Sequence, residues 1–286
     1  MQSIDVGNGI KLAYSESGAG AALLFVHGIP TDYRAWNEQV DQFSPKYRMI
    51  TYSRRLARPN ENPPKYAEST IENNSKDLAG LIKNLGIAPV HLVGHSYGGF
   101  TALWCAAKNP DLVRTLTLVD PAVSTLLVKN AKNPLQFLWF LITSPSAAMS
   151  AARFQRRSLN PSLAAFKRGD YDAALKLNVD GIMDSQGAYD KFPEPVRIIM
   201  KENEKTVGEL GADVPVFTKE DASRVSMPTL LINGANSPKF FHEINSRLAK
   251  SIPKNETARI SGSAHFPHVE NPAEFNSRLQ DFLSKN

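Results

Sequence analysis

The chain has 286 residues, 42% of them apolar and 21% charged, which is ample for one large α/β domain with an insertion. Its formal charge of +5 is mild for that length, and no basic run is interleaved with aromatics, so nucleic-acid binding is not expected. The single cysteine, Cys105, excludes an internal disulfide and fits a reducing, cytoplasmic setting.

The first residues, MQSIDVGNGIKLAY, lack the charged start and apolar core of a signal peptide. IDV and IKLAYSES flank Gly7, Asn8 and Gly9 and suggest a hairpin. AALLFVHG and YRMITYS read as buried strands. Residues 69–85 place Ile71, Leu78, Leu81, Ile82 and Leu85 on one helical face. PVHLVGH is a strand, FTALWCAAKNP a helix stopped by Asn109-Pro110, and VRTLTLVDP the next strand. This alternation predicts a parallel sheet covered on both faces.

After Pro121 the rhythm breaks for about a hundred residues of helical pieces without a clear buried strand. Pro134, Pro145, Pro161, Pro193 and Pro195 are expected to cut this segment into short helices. Its most apolar window, LQFLWFLI at 135–142, is too short to span a bilayer and is expected to be buried or to face a groove. Stable membrane anchoring is not expected. The alternation resumes at MPTLLING, with a helix over 238–252, the strand TARISG, and a terminal helix opened by Asn271 and Pro272. The reading is an α/β fold with a mostly parallel central sheet and helices on both faces. Residues 1–121 and 224–286 form the core, and 122–223 an inserted helical cap.

Gly94-His95-Ser96-Tyr97-Gly98 matches G-x-S-x-G between a predicted strand and a predicted helix. Such a turn holds a serine in a strained conformation with its oxygen exposed, and bulky neighbours would clash. On this motif, on His27-Gly28-Ile29-Pro30 and on residues 262–272, the chain resembles the α/β-hydrolase fold superfamily over nearly its whole length. The resemblance implies that Ser96 is a nucleophile, activated by a histidine held by an acid.

Six histidines are present. His265 is the expected base, because Gly262, His265, Glu270 and Pro272 resemble the family's G-x-x-H-x-x-x-x-E-x-P stretch. His27 and His95 read as structural, His91 lies inside a strand, and His242 falls on a helix. His268 reads as a solvated residue, with a loop or substrate contact as the alternative. The family's usual acid follows the strand after the cap, but here that loop reads Ala235-Asn236-Ser237-Pro238 and holds no carboxylate. Some haloalkane dehalogenases, zearalenone-type lactonases and cofactor-free dioxygenases place the acid one strand earlier. Asp120, ending VRTLTLVDP, matches that position, so the expected triad is Ser96, His265 and Asp120. An aspartate before proline can also serve as a turn or N-cap residue.

The oxyanion donors expected from the resemblance are the N–H groups of Ile29 and Tyr97, since Pro30 has none. Epoxide hydrolases and dehalogenases carry an aspartate where Ser96 stands, which speaks against both activities. Arg54 and Arg55, in a stretch that departs from the family's D-x-R-G-x-G-x-S, are expected to hold the loop or meet cap carboxylates. Phe137, Leu138, Trp139, Phe140, Phe154 and Phe166 are candidates for an apolar pocket or for packing within the cap, with Phe137, Trp139 and Phe140 the expected substrate contacts. The expected activity is hydrolysis of a small, apolar ester or lactone through an acyl-enzyme. No cofactor is implied, and no spacing suggests a metal site. The alternatives are a C–C hydrolase or cofactor-free dioxygenase using the same groups, or a non-catalytic ligand-binding receptor.

Overall fold

A computed structural model describes residues 1–7, 9–60, 68–130 and 133–286. Asn8, in the expected hairpin turn, lies outside the described residues. Eight strands form one sheet: β1 (Gln2–Asp5), β2 (Lys11–Ser17), β3 (Ala22–Val26), β4 (Arg48–Tyr52), β5 (Val90–His95), β6 (Val113–Val119), β7 (Thr229–Gly234) and β8 (Asn255–Ile260). Their order is β1-β2-β4-β3-β5-β6-β7-β8. β1 and β2 pair antiparallel, β2 joins β4 antiparallel, and all later pairings are parallel.

The period-two alternation of each strand divides the core into two layers. Leu24, Val26, Leu92, Leu116, Leu118 and Leu231 face one side, where Leu78, Leu81, Phe100, Leu103, Ile244 and Leu248 cover them. These come from helices Ile71–Asn84, Ser96–Lys108 and Lys239–Ser251. Leu23, Phe25, Val93, Val119, Leu230 and Ile232 face the other side, against Trp36, Phe43, Phe275, Leu279 and Phe282. Burying each such side chain contributes about 1.5–3 kcal/mol. Because β3 to β8 run parallel, their carboxyl ends share one edge, where loops from distant parts of the sequence meet.

Among the described residues, the chain between Val119 and Thr229 contains helices and no strand. Pro134 and Pro145 open helices Pro134–Thr143 and Pro145–Phe154. Pro161 does not break the chain as expected. Helix Pro145–Phe154 runs through a widened π turn, Gln155–Leu159, into helix Asn160–Lys167. Proline lacks an N–H and its ring crowds the preceding turn, and widening that turn relieves both. Helix Pro134–Thr143 also departs from expectation. It buries Phe140 on Ala147 and Ala148, while Leu135, Leu138, Trp139 and Ile142 are exposed.

Candidate active site

β5 ends at His95, and helix Ser96–Lys108 begins at the next residue. This reversal puts Ser96 at φ 54°, a left-handed conformation that is strained for a residue with a Cβ. The helix must pass close to the loop after β3. A Cβ on Gly98 would lie 2.3 Å from the His27 carbonyl oxygen, so only glycine fits there. A Cβ on Gly28 would lie 3.0 Å from Ser96 Cβ, which shows how closely the His27–Pro30 loop abuts the serine.

His265 Nε2 stands 3.0 Å from Ser96 Oγ. Three contacts hold this histidine. Glu270 Oε2 accepts from the N–H groups of Ala264 and Phe266, both at 3.0 Å, on either side of it. His95 Nε2 donates to the His265 carbonyl at 2.7 Å. Phe241 stacks on the imidazole with ring centroids 4.3 Å apart. An imidazole that accepts the serine proton at Nε2 carries its own proton on Nδ1.

His265 Nδ1 lies 3.4 Å from Asp120 Oδ2. That is ion-pair range but outside regular hydrogen-bond geometry, and Nδ1 has no other partner among the described residues. Asp120 follows β6 directly, at φ 42°. Both of its oxygens are held. Ser237 Oγ donates to Oδ2 at 2.6 Å, and Asn233 Nδ2 donates to Oδ1. Burial pushes the Asp120 carboxyl up to about 7, against the opposing pull of the Ser237 and Asn233 hydrogen bonds. Burial pushes the His265 imidazole down to about 3. A neutral imidazole beside a hydroxyl can take its proton, and an adjacent carboxylate can balance the charge that forms.

A cavity of about 160 Å³ opens beside Ser96. Ile29 and Tyr97 line it. Tyr97 is the second residue of its helix, so its N–H belongs to the first turn, where amides lack intrahelical partners. Phe154, Ile182, Leu210, Phe240, Phe241 and Ile244 supply most of the apolar wall. Phe137, Trp139 and Phe140 do not line it, which corrects the expectation for the aromatic window. Phe140 is packed on Ala147 and Ala148 and under the Arg247 guanidinium, and Phe137 and Trp139 face outward. Asn178 is buried, lines the cavity, and its side chain makes no hydrogen bond to protein among the described residues. Neither Asn178 nor Asn233 carries a motif. The sole sequence signal for Asn233 is a polar residue near the end of the apolar strand TLLING.

Arg54 is fully buried and forms a bidentate pair with Glu209 of the insertion, at 3.1 and 2.8 Å. Its guanidinium also lies over the Tyr97 ring. Arg55 instead pairs with Asp77 of the core. His27 accepts at Nε2 from the Arg54 N–H and shapes its loop. His91 contacts Thr115 Oγ1. His242 is half-buried on helix Lys239–Ser251. His268 is not solvated as expected. It is buried and stacked on Trp36 at 4.3 Å. Among the described residues, no group of His, Cys, Asp or Glu could hold a metal ion.

Residues 21–272 match the family model described as the alpha/beta hydrolase fold. Epoxide hydrolase 2 of Siraitia grosvenorii is 36% identical, over 97% of this chain and 96% of its own. The sn-1-specific diacylglycerol lipase of Mus musculus is 26% identical, over 92% of this chain and 81% of its own. Among solved structures, an epoxide hydrolase from Bacillus megaterium superposes with a TM-score of 0.76 at 22% identity, covering 99% of this chain and 100% of that one. A thermophilic esterase from Thermogutta terrifontis gives 0.70 at 21% identity, covering 100% and 99%.

Proposed function

Because this chain belongs to the alpha/beta-hydrolase fold family and is a hydrolase, we propose that it cleaves ester or lactone bonds of small, apolar substrates through an acyl intermediate on Ser96. The observation that carries this reading is chemical. The group at the turn, 3.0 Å from His265 Nε2, is a hydroxyl and not a carboxylate.

That difference weighs against the epoxide hydrolases among the relatives. A carboxylate that opens an epoxide leaves an alkyl ester, which water can cleave. A serine oxygen doing the same would leave an ether, which water does not cleave under these conditions. A serine that attacks an ester leaves an acyl ester, and the cycle closes.

In the proposed cycle, His265 Nε2 takes the Ser96 proton as Oγ bonds to the substrate carbonyl carbon. Electrons move to the carbonyl oxygen, which accepts from the N–H groups of Ile29 and Tyr97. Each such donor is worth roughly 10²–10³ in rate. The imidazolium, balanced by Asp120, then protonates the leaving alcohol as its C–O bond breaks. Water gives a proton to His265 and adds to the acyl carbon, and Ser96 leaves with that proton. In a lactone the leaving alcohol stays tethered to the acyl group.

The cavity, at about 160 Å³, is smaller than the ~300–1,000 Å³ typical of drug-sized ligands, which supports short acyl and alcohol groups. Asn178 offers one polar contact within the apolar wall. The test is a panel of p-nitrophenyl esters of increasing length, lactones and a simple epoxide, together with a fluorophosphonate probe. Turnover of short esters or lactones, and labelling lost in Ser96→Ala, is expected. Epoxide turnover without ester or lactone turnover would overturn the reading.

A further inference from the structure

Between Asp120 and Asp170 the chain carries seven Lys or Arg residues and no Asp or Glu. Within this acid-free segment, residues 133–152 contain no charge at all. Helix Pro134–Thr143 lies there and is turned largely outward. Leu135 is 72% exposed, Leu138 51%, Trp139 67% and Ile142 65%, and Met149 on the next helix is 59% exposed. Isolated exposed leucines are ordinary, but a contiguous ridge of large apolar side chains marks an interaction surface.

The ridge is bordered by cations. Lys129 is exposed before it, and Arg153, Arg156 and Arg157 are exposed after it. The nearby acids are engaged. Glu243 holds Arg247 and Ser144, and Asp184 lies 3.4 Å from Arg153 in an exposed pair. Ten helical residues span about 15 Å, half the ~30 Å core of a bilayer. No helix among the described residues is long and apolar enough to cross a membrane. A short helix with Trp, Phe and Leu on its face and basic residues at its margins suits the plane of a membrane interface.

We propose that helix Pro134–Thr143 docks this protein on anionic phospholipid surfaces, with Leu135, Leu138, Trp139 and Ile142 entering the headgroup region and the flanking cations meeting lipid phosphates. A second copy of the chain is the competing occupant, and charge disfavours it. A two-fold contact through this patch would bring two sets of the cations Lys129, Arg153, Arg156 and Arg157 to one interface, and the chain between them carries no acid. Packing links the surface to the cavity wall: Leu127 and Val128 pack against the cluster of Phe140, Ala147 and Ala148, and Thr125 Oγ1 donates to the Pro215 carbonyl beside Val214, which lines the cavity.

The test uses the full chain with phosphatidylcholine vesicles, with and without phosphatidylglycerol. Co-sedimentation is expected with the anionic vesicles and should weaken with salt. In a Trp104→Phe background, where buried Trp36 and Trp139 are the remaining tryptophans, Trp139 fluorescence should shift to the blue and be quenched by brominated lipid. Leu138→Gln combined with Ile142→Gln should lower vesicle partitioning at least ~10-fold, as two apolar side chains are lost from the inserted face. Hydrolysis of a soluble p-nitrophenyl ester without vesicles should be unchanged, and binding is read without turnover. No binding, binding that ignores anionic lipid, or binding equal in the variant would overturn the proposal. So would a dimer in vesicle-free buffer that the variant dissociates, because a second copy would then cover the helix.

Discussion

Ser237 Oγ donates to Asp120 Oδ2 at 2.6 Å, so the loop after β7 supplies a clamp on the acid, while the acid itself comes from the end of β6. The same oxygen faces His265 Nδ1. Ser237 therefore acts on the imidazole through the carboxylate. Its hydroxyl opposes the burial that favours protonated Asp120. Ser237→Ala is predicted to lower kcat by roughly 10-fold, the loss of one hydrogen bond to a charged group. It should also move the acid limb of the kcat/KM profile to higher pH. An unshifted limb would show that the clamp does not tune the acid.

The position of that limb follows from burial. Asp120 is raised to about 7 and His265 lowered to about 3, so as pH falls the carboxyl takes up a proton before the imidazole does. The pair then loses the charge that balances an imidazolium. kcat/KM for a p-nitrophenyl ester should fall as pH drops through about 7. A flat profile between pH 5 and 8 would contradict this.

Asp120→Asn separates catalysis from stability. An asparagine N–H₂ facing Nδ1 forces the imidazole proton onto Nε2, the wrong tautomer for a base, and kcat should fall by ~10³–10⁴. Stability should respond in the other direction. The buried carboxyl has a raised pKa, so its contribution is complete below its unfolded value near 3.9 and is lost as pH rises through about 7. Asparagine carries no such penalty. The Tm of the variant relative to the unsubstituted chain should be higher at pH 8 than at pH 5, as read by thermal melts at both.

Ser96→Ala removes the proposed nucleophile and should reduce kcat by ~10⁴–10⁶. Single-turnover kinetics should show no acyl intermediate. Because Ser96 is strained at φ 54° and alanine keeps the Cβ, stability should change little.

Glu209→Ala would leave Arg54 charged, buried and without its bidentate partner. Breaking a buried pair from one side costs about 3–5 kcal/mol. The loss should appear in urea denaturation, and limited proteolysis should cut the insertion faster. Arg54→Met with Glu209→Leu should recover much of the stability, since packing can replace a buried pair.

What the sequence determined alone was local and periodic. Alternating apolar residues divided Leu24 from Phe25 and Leu118 from Val119, because a strand turns successive side chains to opposite faces. The steric demand of the turn marked Ser96, because glycines must flank it. Likeness to the family's stretch around Gly262 and Glu270 marked His265, and the structure gives the local reason: Glu270 accepts from the two amides beside that histidine. Asp120 was marked by likeness to relatives that carry the acid one strand earlier, and the fold places it 3.4 Å from the imidazole.

Tertiary structure alone decided what depends on partners far apart in the chain. Asn233 and Ser237 reach Asp120 across more than a hundred residues, and Glu209 reaches Arg54 across a similar separation. Such pairs leave no spacing to read. The cavity lining was decided the same way. Phe154, Phe240 and Phe241 line it while Phe137 and Trp139 turn outward, although all five are large aromatic side chains. Hydrophobicity says that an aromatic side chain gains by leaving water, but it does not say which surface receives it. That depends on how the insertion packs across the sheet edge.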